Sequence, residues 1–272
     1  MSAARVLAVK VPKPRGLGIS AGLEAGLARD LAARCERLGY HSLWSSDEPA
    51  ASGLETLAHF AAAAPRLELG VGVLPLDRHP PAQIATEIDR LGLDPTKLWV
   101  GIGSGQLRRQ IDVLQRAVAE LREILPGETR IVVAAMRPRL CRLAGAVADG
   151  VLLNWMLPDH VPEVQRAVQA GAEEAGRAAP VVASYVRVAV GSGASQRVRD
   201  EERHYRTINE GHRKHFAAMD VPVGSVGVAA STSPEVRGRL APYQSALDLP
   251  IVRVLANADV ASLTAVADAA RP

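Results

Sequence analysis

Aromatic side chains are scarce, with two Phe, four Tyr and three Trp in 272 residues, so alanine, leucine and valine must supply most of the packing. Cysteine is scarcer still. Cys35 and Cys141 each lie inside a helical pattern and form no C-x-x-C pair. This excludes a disulfide framework and suits a reducing compartment. No apolar run approaches the ~20 residues that a membrane-spanning helix needs. No signal peptide opens the chain, so a cytoplasmic protein is expected. An excess of one charge is also lacking: 32 Lys and Arg face 29 Asp and Glu, interleaved throughout, and the net charge is +3. Phosphate backbones are bound by basic side chains clustered on one face, so neither nucleic acid nor a membrane is an expected partner.

What the chain does have is alternation. Short β-branched runs bounded by turn residues mark strands, and apolar residues at i, i+3, i+4 and i+7 mark helices. Strands are expected at Arg5–Val11, His41–Ser46, Leu67–Pro75, Leu98–Gly105, Arg130–Met136, Gly150–Trp155, Pro180–Gly191 and Pro250–Asn257. Helical sequence follows each of them. The first helix carries Leu23, Leu27, Leu31, Cys35 and Leu38 on one stripe and stops at Gly39, while Pro138 is well placed to start the fifth. Eight such units in roughly 250 residues predict a closed (β/α)8 TIM barrel, with one domain over 1–272. An open doubly wound sheet is the weaker match, because "PKPRGLGISAG" after the first expected strand holds no G-x-G-x-x-G. The stretch 192–249 is longer than an ordinary crossover and predicts an insertion near the barrel mouth.

Active sites of such barrels lie at the C-terminal ends of the strands. The residues there are Ser45, Ser46, Asp47 and Glu48; Val73 to Leu76; Gly103, Ser104 and Gly105; Ala134, Ala135, Met136 and Arg137; then Asn154 and Trp155. They are small, polar or glycine, with few strong acids or bases. No expected strand ends in a G-x-S-x-G elbow, and there is no H-E-x-x-H zinc motif. Such a rim suits a large planar cofactor that brings its own reactivity.

The stretches "GVGVLPLDRHPPAQIATEIDRL", "LWVGIGSG" and "AAMRPRLCRLAGAVADGVLLNW" resemble signature segments of the bacterial-luciferase-like family, in particular its coenzyme F420-dependent branch. The likeness runs from about Leu38 to Pro158 and weakens in the last third. It implies a (β/α) barrel with a flavin or deazaflavin ring in the mouth and a non-proline cis peptide around Gly72, Val73 and Leu74, bulged against the ring. Asn154 would bond the ring or tail, and Trp155 would wall the cleft. The tail phosphate would meet the backbone of Gly103–Gly105 and Ala135–Arg137 near helix N-termini, with Ser45 and Met136 also on the cofactor surface. A homodimer and a small-molecule substrate are implied as well. Two departures stand out. Many relatives place a histidine where this chain reads Asp47-Glu48, and many carry a small residue at the position of Arg137.

The resemblance implies an F420-dependent oxidoreductase that passes hydride between the deazaflavin and a small organic substrate, with Asp47 or Glu48 handling protons. An FMN-dependent monooxygenase and a non-catalytic flavin-binding member are the alternatives. No metal site is expected. Plainer roles stand beside these: Gly101, Gly103 and Gly105 shaping a βα turn, Asp47 and Glu48 capping the next helix, and His79 structural. Trp44 and Trp99 are core residues in this reading, and His204, His212 and His215 lie on an exposed polar helix. Arg187 and Arg253 face either the barrel or the helix shell, and an inward arginine near the mouth would be an anion partner.

Overall fold

The computed structural model describes residues 13–257 and 259–272. Arg5–Val11 lies outside the described residues, and the first described strand, β1, is Gly16–Ser20, a stretch expected as a loop because glycine disfavours strands. The physical reason for glycine here is room. A Cβ on Gly16 would lie 2.9 Å from the Ser42 hydroxyl, and one on Gly18 would lie 2.9 Å from the Tyr185 ring. β1 leaves its inner face empty so that larger neighbours fill the barrel.

The other elements follow the expected alternation. They are α1 (Ala25–Leu38), β2 (Ser42–Ser46), α2 (Gly53–Ala61), β3 (Glu68–Pro75), α3 (Pro81–Arg90), β4 (Leu98–Gly103), α4 (Gln110–Ile124), β5 (Arg130–Ala134), α5 (Pro138–Val147), β6 (Gly150–Asn154), α6 (Val161–Glu174) and β7 (Val181–Val190). After these come α7 (Ala194–Ile208), α8 (Glu210–Met219), β8 (Val228–Ala230), α9 (Ser233–Ala246), β9 (Leu249–Val254) and α10 (Val260–Ala269). Helix α1 ends where Gly39 turns left-handed, at φ 84°, as glycine permits. A capping box between Thr232 and Glu235 starts α9.

All strand pairings are parallel, and β1 pairs with both β2 and β9, so strands β1 to β7 and β9 close an eight-stranded (β/α) barrel. The short β8 stands outside the ring. Val188 pairs with both Val254 and Val228, which puts β8 on the β6 edge of β7, beyond the end of β6. Helix α9 packs on β7, β9 and α10 as the ordinary helix of its unit. The added segment is therefore narrower than 192–249 and comprises α7, α8 and β8. The polar stretch 196–219 is two helices, because Asn209 leaves α7 in extended geometry and its side chain caps α8 by accepting from the His212 amide.

An outer core joins strands to helices, and a separate cluster fills the barrel: Trp44, Trp99, Val132, Leu152, Ala183, Tyr185, Leu249 and Ile251. Three of the chain's few aromatics thus occupy the interior, where Trp44 and Trp99 lie 6.2 Å apart between centroids. Cys35 and Cys141 are free and buried. Among the described residues, no helix is long and apolar enough to cross a membrane.

At the N-terminal floor, Glu68 accepts from Trp99 Nε1 at 2.6 Å and forms ion pairs with Arg130 at 2.9 Å and His41 at 3.2 Å. Burial alone would raise its pKa, but the bonds from His41 and Trp99 and the nearby positive charge outweigh that and lower it from 4.5 to about 2. A depressed folded-state pKa contributes stability above the unfolded value, and that stability is lost as pH falls through the folded one. Glu68→Gln should therefore destabilise the barrel by roughly 1–3 kcal/mol at neutral pH. The gap between urea midpoints should narrow as pH falls to about 3, and a constant gap across that range would remove the ionised carboxylate from the account.

Candidate active site

Alternation along the paired strands fixes which side chains reach the mouth. Trp44 on β2 and Tyr185 on β7 belong to the interior cluster, so residues two further on, Ser46 and Arg187, also point inward. By the same register Arg253 on β9, beside Arg187 on β7, faces the mouth, as do Asn154 on β6 and Ser20 on β1. Both arginines are nearly buried, at 2% and 7% exposure. Arg253 Nη2 donates to the hydroxyls of Ser20 and Ser46. Arg187 Nη1 donates to Asn154 Oδ1, and its guanidinium lies 4.3 Å from the Trp155 ring centroid and 4.9 Å from that of Tyr205. Burial and the neighbouring Arg253 push the Arg187 pKa down to about 10 against the opposing pull of Tyr205.

Several residues expected on the cofactor surface face elsewhere. Ser45 is fully buried and alternates away from the mouth, with its hydroxyl on the Ser46 carbonyl, whereas Ser46 faces the mouth. Leu74 and Ala135 join the strand-helix core. Trp155, at φ 53°, is 1% exposed and packs among Phe216, Met219 and Val226 beneath α8, so it does not wall an open cleft. The inserted helices cover it, and His215 Nε2 donates to its carbonyl at 2.8 Å. His215 is buried and His212 half-buried, unlike the exposed face expected. His212 Nδ1 faces Asn209 Oδ1 at 3.1 Å, and its Nε2 faces Asn154 Nδ2 at 3.4 Å. That pairing selects a neutral ring protonated on Nδ1. Burial, His215 and Arg187 hold its pKa down at about 4.

On the other side of the mouth, β3 shifts register between Val71 and Leu74, and the Gly72–Val73 peptide is cis, at the position the sequence resemblance implied. The Tyr185 hydroxyl donates to the Gly72 carbonyl at 3.0 Å. A Cβ on Gly101 would meet the Val71 carbonyl oxygen at 2.3 Å, and one on Gly103 would meet Val73 at 2.9 Å. Both glycines therefore let β4 pass the bulge. Val73, Ser104, Ala134, Met136 and Asn154 are part-exposed, so this side of the mouth is open.

The Gly103-Ser104-Gly105 turn is built around an internal carboxylate. Gly105 has φ 57°, and a Cβ there would fall 1.9 Å from Asp77 Oδ1. Asp77 Oδ2 also takes the Gln106 amide at 2.9 Å. A cleft of about 710 Å³ lies next to this turn, between the N-terminal ends of α4 and α5, and Arg109, Arg137 and Arg139 line it. Helix α5 starts with no side-chain cap and no acid in its first turn; Pro138 has no N–H and the Leu140 amide donates to the Arg137 carbonyl at 3.1 Å, so the Arg139 amide is the one without a partner among the described residues. Arg109 pairs with Asp112.

The acids after β2 have separate settings. Asp47, its side chain 2% exposed, accepts from Arg78 at 2.6 Å, from His79 at 2.8 Å and from the Gly53 amide at 3.0 Å. It clamps the β2 and β3 loops together, and its oxygens are occupied. Glu48 is half-buried, and its Oε1 accepts from Ser46 Oγ at 3.1 Å. Gly18 to Gly22 spells G-x-S-x-G across the end of β1, a strand the sequence pattern does not predict. Its Ser20 ends a barrel strand and bonds Arg253, and among the described residues no histidine or carboxylate activates it.

A family model described as luciferase-like monooxygenase matches residues 8–113 and 103–271. The chain belongs to that family. No curated protein matches it. Among solved structures, an F420-dependent secondary alcohol dehydrogenase bound to an F420-acetone adduct superposes with a TM-score of 0.77 at 16% identity, covering 96% of this chain and 100% of that one. The coenzyme F420-dependent tetrahydromethanopterin reductase of Methanopyrus kandleri gives 0.69 at 14% identity, covering 94% and 98%. The oxygenating constituent of 3,6-diketocamphane monooxygenase from Pseudomonas putida, bound to FMN, gives 0.67 at 14% identity, covering 94% and 96%. At these identities the likeness establishes the fold.

Within this luciferase-like barrel, Ser46 is among the expected rim residues, Ser20 becomes one once the first strand starts at Gly16, and Tyr185 gives no signal in the sequence beyond its place inside the seventh strand. Among the described residues no cluster of metal-ligating side chains occurs. The clamp role of Asp47 has a direct consequence. Asp47→Ala should lower stability by about 1–3 kcal/mol, because Arg78, His79 and the Gly53 amide lose their acceptor, whereas Glu48→Gln should change it by no more than about 0.5 kcal/mol. Chemical denaturation of the two variants would show the clamp to be unimportant if their midpoints coincide.

Proposed function

We propose that this chain is an oxidoreductase that holds coenzyme F420 in the barrel mouth and passes a hydride between its deazaflavin and a small organic substrate. The observation that carries this reading is the cleft between α4 and α5. Its uncapped helix N-terminus stands beside Arg137 and Arg139, neither of which forms an ion pair among the described residues. The F420 tail carries a phosphodiester and several carboxylates and so needs more than one cation. FMN ends in a single phosphate, for which one helix N-terminus suffices. The cofactors named for the dehydrogenase and reductase neighbours agree with F420.

The residues present fit such a ligand. Val73, Ser104 and Ala134 leave the β3–β5 side of the mouth part-exposed, and Arg137 and Arg139 line the cleft beside it. When bound, the deazaflavin supplies the hydride-carrying carbon. Val73 on the β3 bulge and Ala134 and Asn154 opposite it orient the ring. Helices α7 and α8 exclude water from the β6–β7 side. Glu48 is the residue placed to hold a proton: Ser46 engages its Oε1, and Oε2 accepts no bond among the described residues. Asp47, taken up by its clamp, positions the loop that carries Glu48.

Titration of the purified protein should give F420 binding in roughly the micromolar range, tighter than that of FMN. Arg137→Gln should weaken F420 about tenfold, the loss expected for one charge-assisted bond. Tighter FMN binding would reverse the assignment to an FMN-dependent monooxygenase. If neither cofactor moves the melting temperature at about millimolar concentration, the protein is a non-catalytic member, since specific binding must stabilise the fold.

A further inference from the structure

Arg187 and Arg253 are adjacent inward positions on neighbouring strands. Neither forms an ion pair among the described residues, and both are almost wholly buried. A desolvated cation without a counter-charge is costly, and two side by side are costlier. Their present partners, the Asn154 amide, the hydroxyls of Ser20 and Ser46, and aromatic faces, carry no negative charge. The nearby acids do not neutralise them: Glu201 acts on Arg187 without forming an ion pair among the described residues, and Glu48 is held by Ser46 through Oε1. Arg187 Nε has no hydrogen-bond partner among the described residues, while the exposed Ser20 leaves Arg253 approachable from the β1 side.

We propose that the substrate is a small organic acid whose carboxylate is gripped by Arg253 and Arg187 at the mouth. A guanidinium fork matches a carboxylate in shape as well as charge. The strand order places this pair, on β7 and β9, across the ring from the α4–α5 cleft, so the two anion sites serve different ligands. The inference rests on the oxidoreductase reading for the word substrate, but the anion site can be tested without the cofactor.

The probe is sodium malonate, with uncharged malonamide of the same shape as its control, titrated calorimetrically into the full chain with and without saturating F420. Malonate should bind and malonamide should not. Arg253→Gln should weaken malonate at least tenfold and Arg253→Lys less, while the surface variant Arg166→Gln leaves it unchanged. Trp155 fluorescence should respond to malonate, because Arg187 stacks on that ring. Equal binding of malonamide, or malonate affinity indifferent to Arg253→Gln in a folded variant, overturns the proposal. Mutual exclusion of malonate and F420 also overturns it, since the arginines would then read the cofactor. Loss of F420 binding alone, with Arg253-dependent malonate binding retained, removes the redox reading and supports the anion site.

Discussion

The interior of a closed barrel has a fixed volume, and in this chain that volume is divided unequally among the strands. Trp44 and Tyr185 fill the interior only because Gly16, Gly18, Gly70 and Gly72 stand opposite them with no side chain, as Gly150 does opposite Trp99. A Cβ on Gly70 would lie 2.4 Å from the Trp44 ring, far inside contact distance. Everything above this layer depends on it. The Tyr185 hydroxyl props the β3 bulge through the Gly72 carbonyl, and the Tyr185 ring sits beneath both mouth arginines, 5.9 Å from each guanidinium.

The mouth is asymmetric in a way that divides its work. The β3, β4 and β5 side is lined by small residues and opens onto an electropositive cleft at the start of α5. The β6, β7 and β9 side is crowded with arginine, asparagine and aromatic rings under two added helices. On the proposed reading, the first side takes the planar ligand and the second the charged small molecule. Charge without counter-charge is concentrated on the crowded side, where water is least able to screen it.

Much of this was legible in the sequence, because apolar periodicity and turn residues report backbone geometry directly. The eightfold alternation, the bulge position at Gly72 and Val73, and the core places of Trp44 and Trp99 follow from local pattern or from resemblance. What escaped notice depended on long-range packing. Gly16 and Gly18 look like loop residues until Trp44 and Tyr185, far away in the chain, are seen to occupy their space. Likewise Trp155 looks like a cleft wall until Phe216, 61 positions later by residue number, covers it. Asp47 looks catalytic until Arg78 and His79 fold back onto it.

The pairing of β8 with the upper half of β7 has one more consequence. The strand that carries Arg187 is the same strand to which the added α7–β8 segment is stitched, so cover and charge share a single backbone. A displacement of β8 along that edge would therefore be transmitted through the β7 backbone to the guanidinium one residue before Val188.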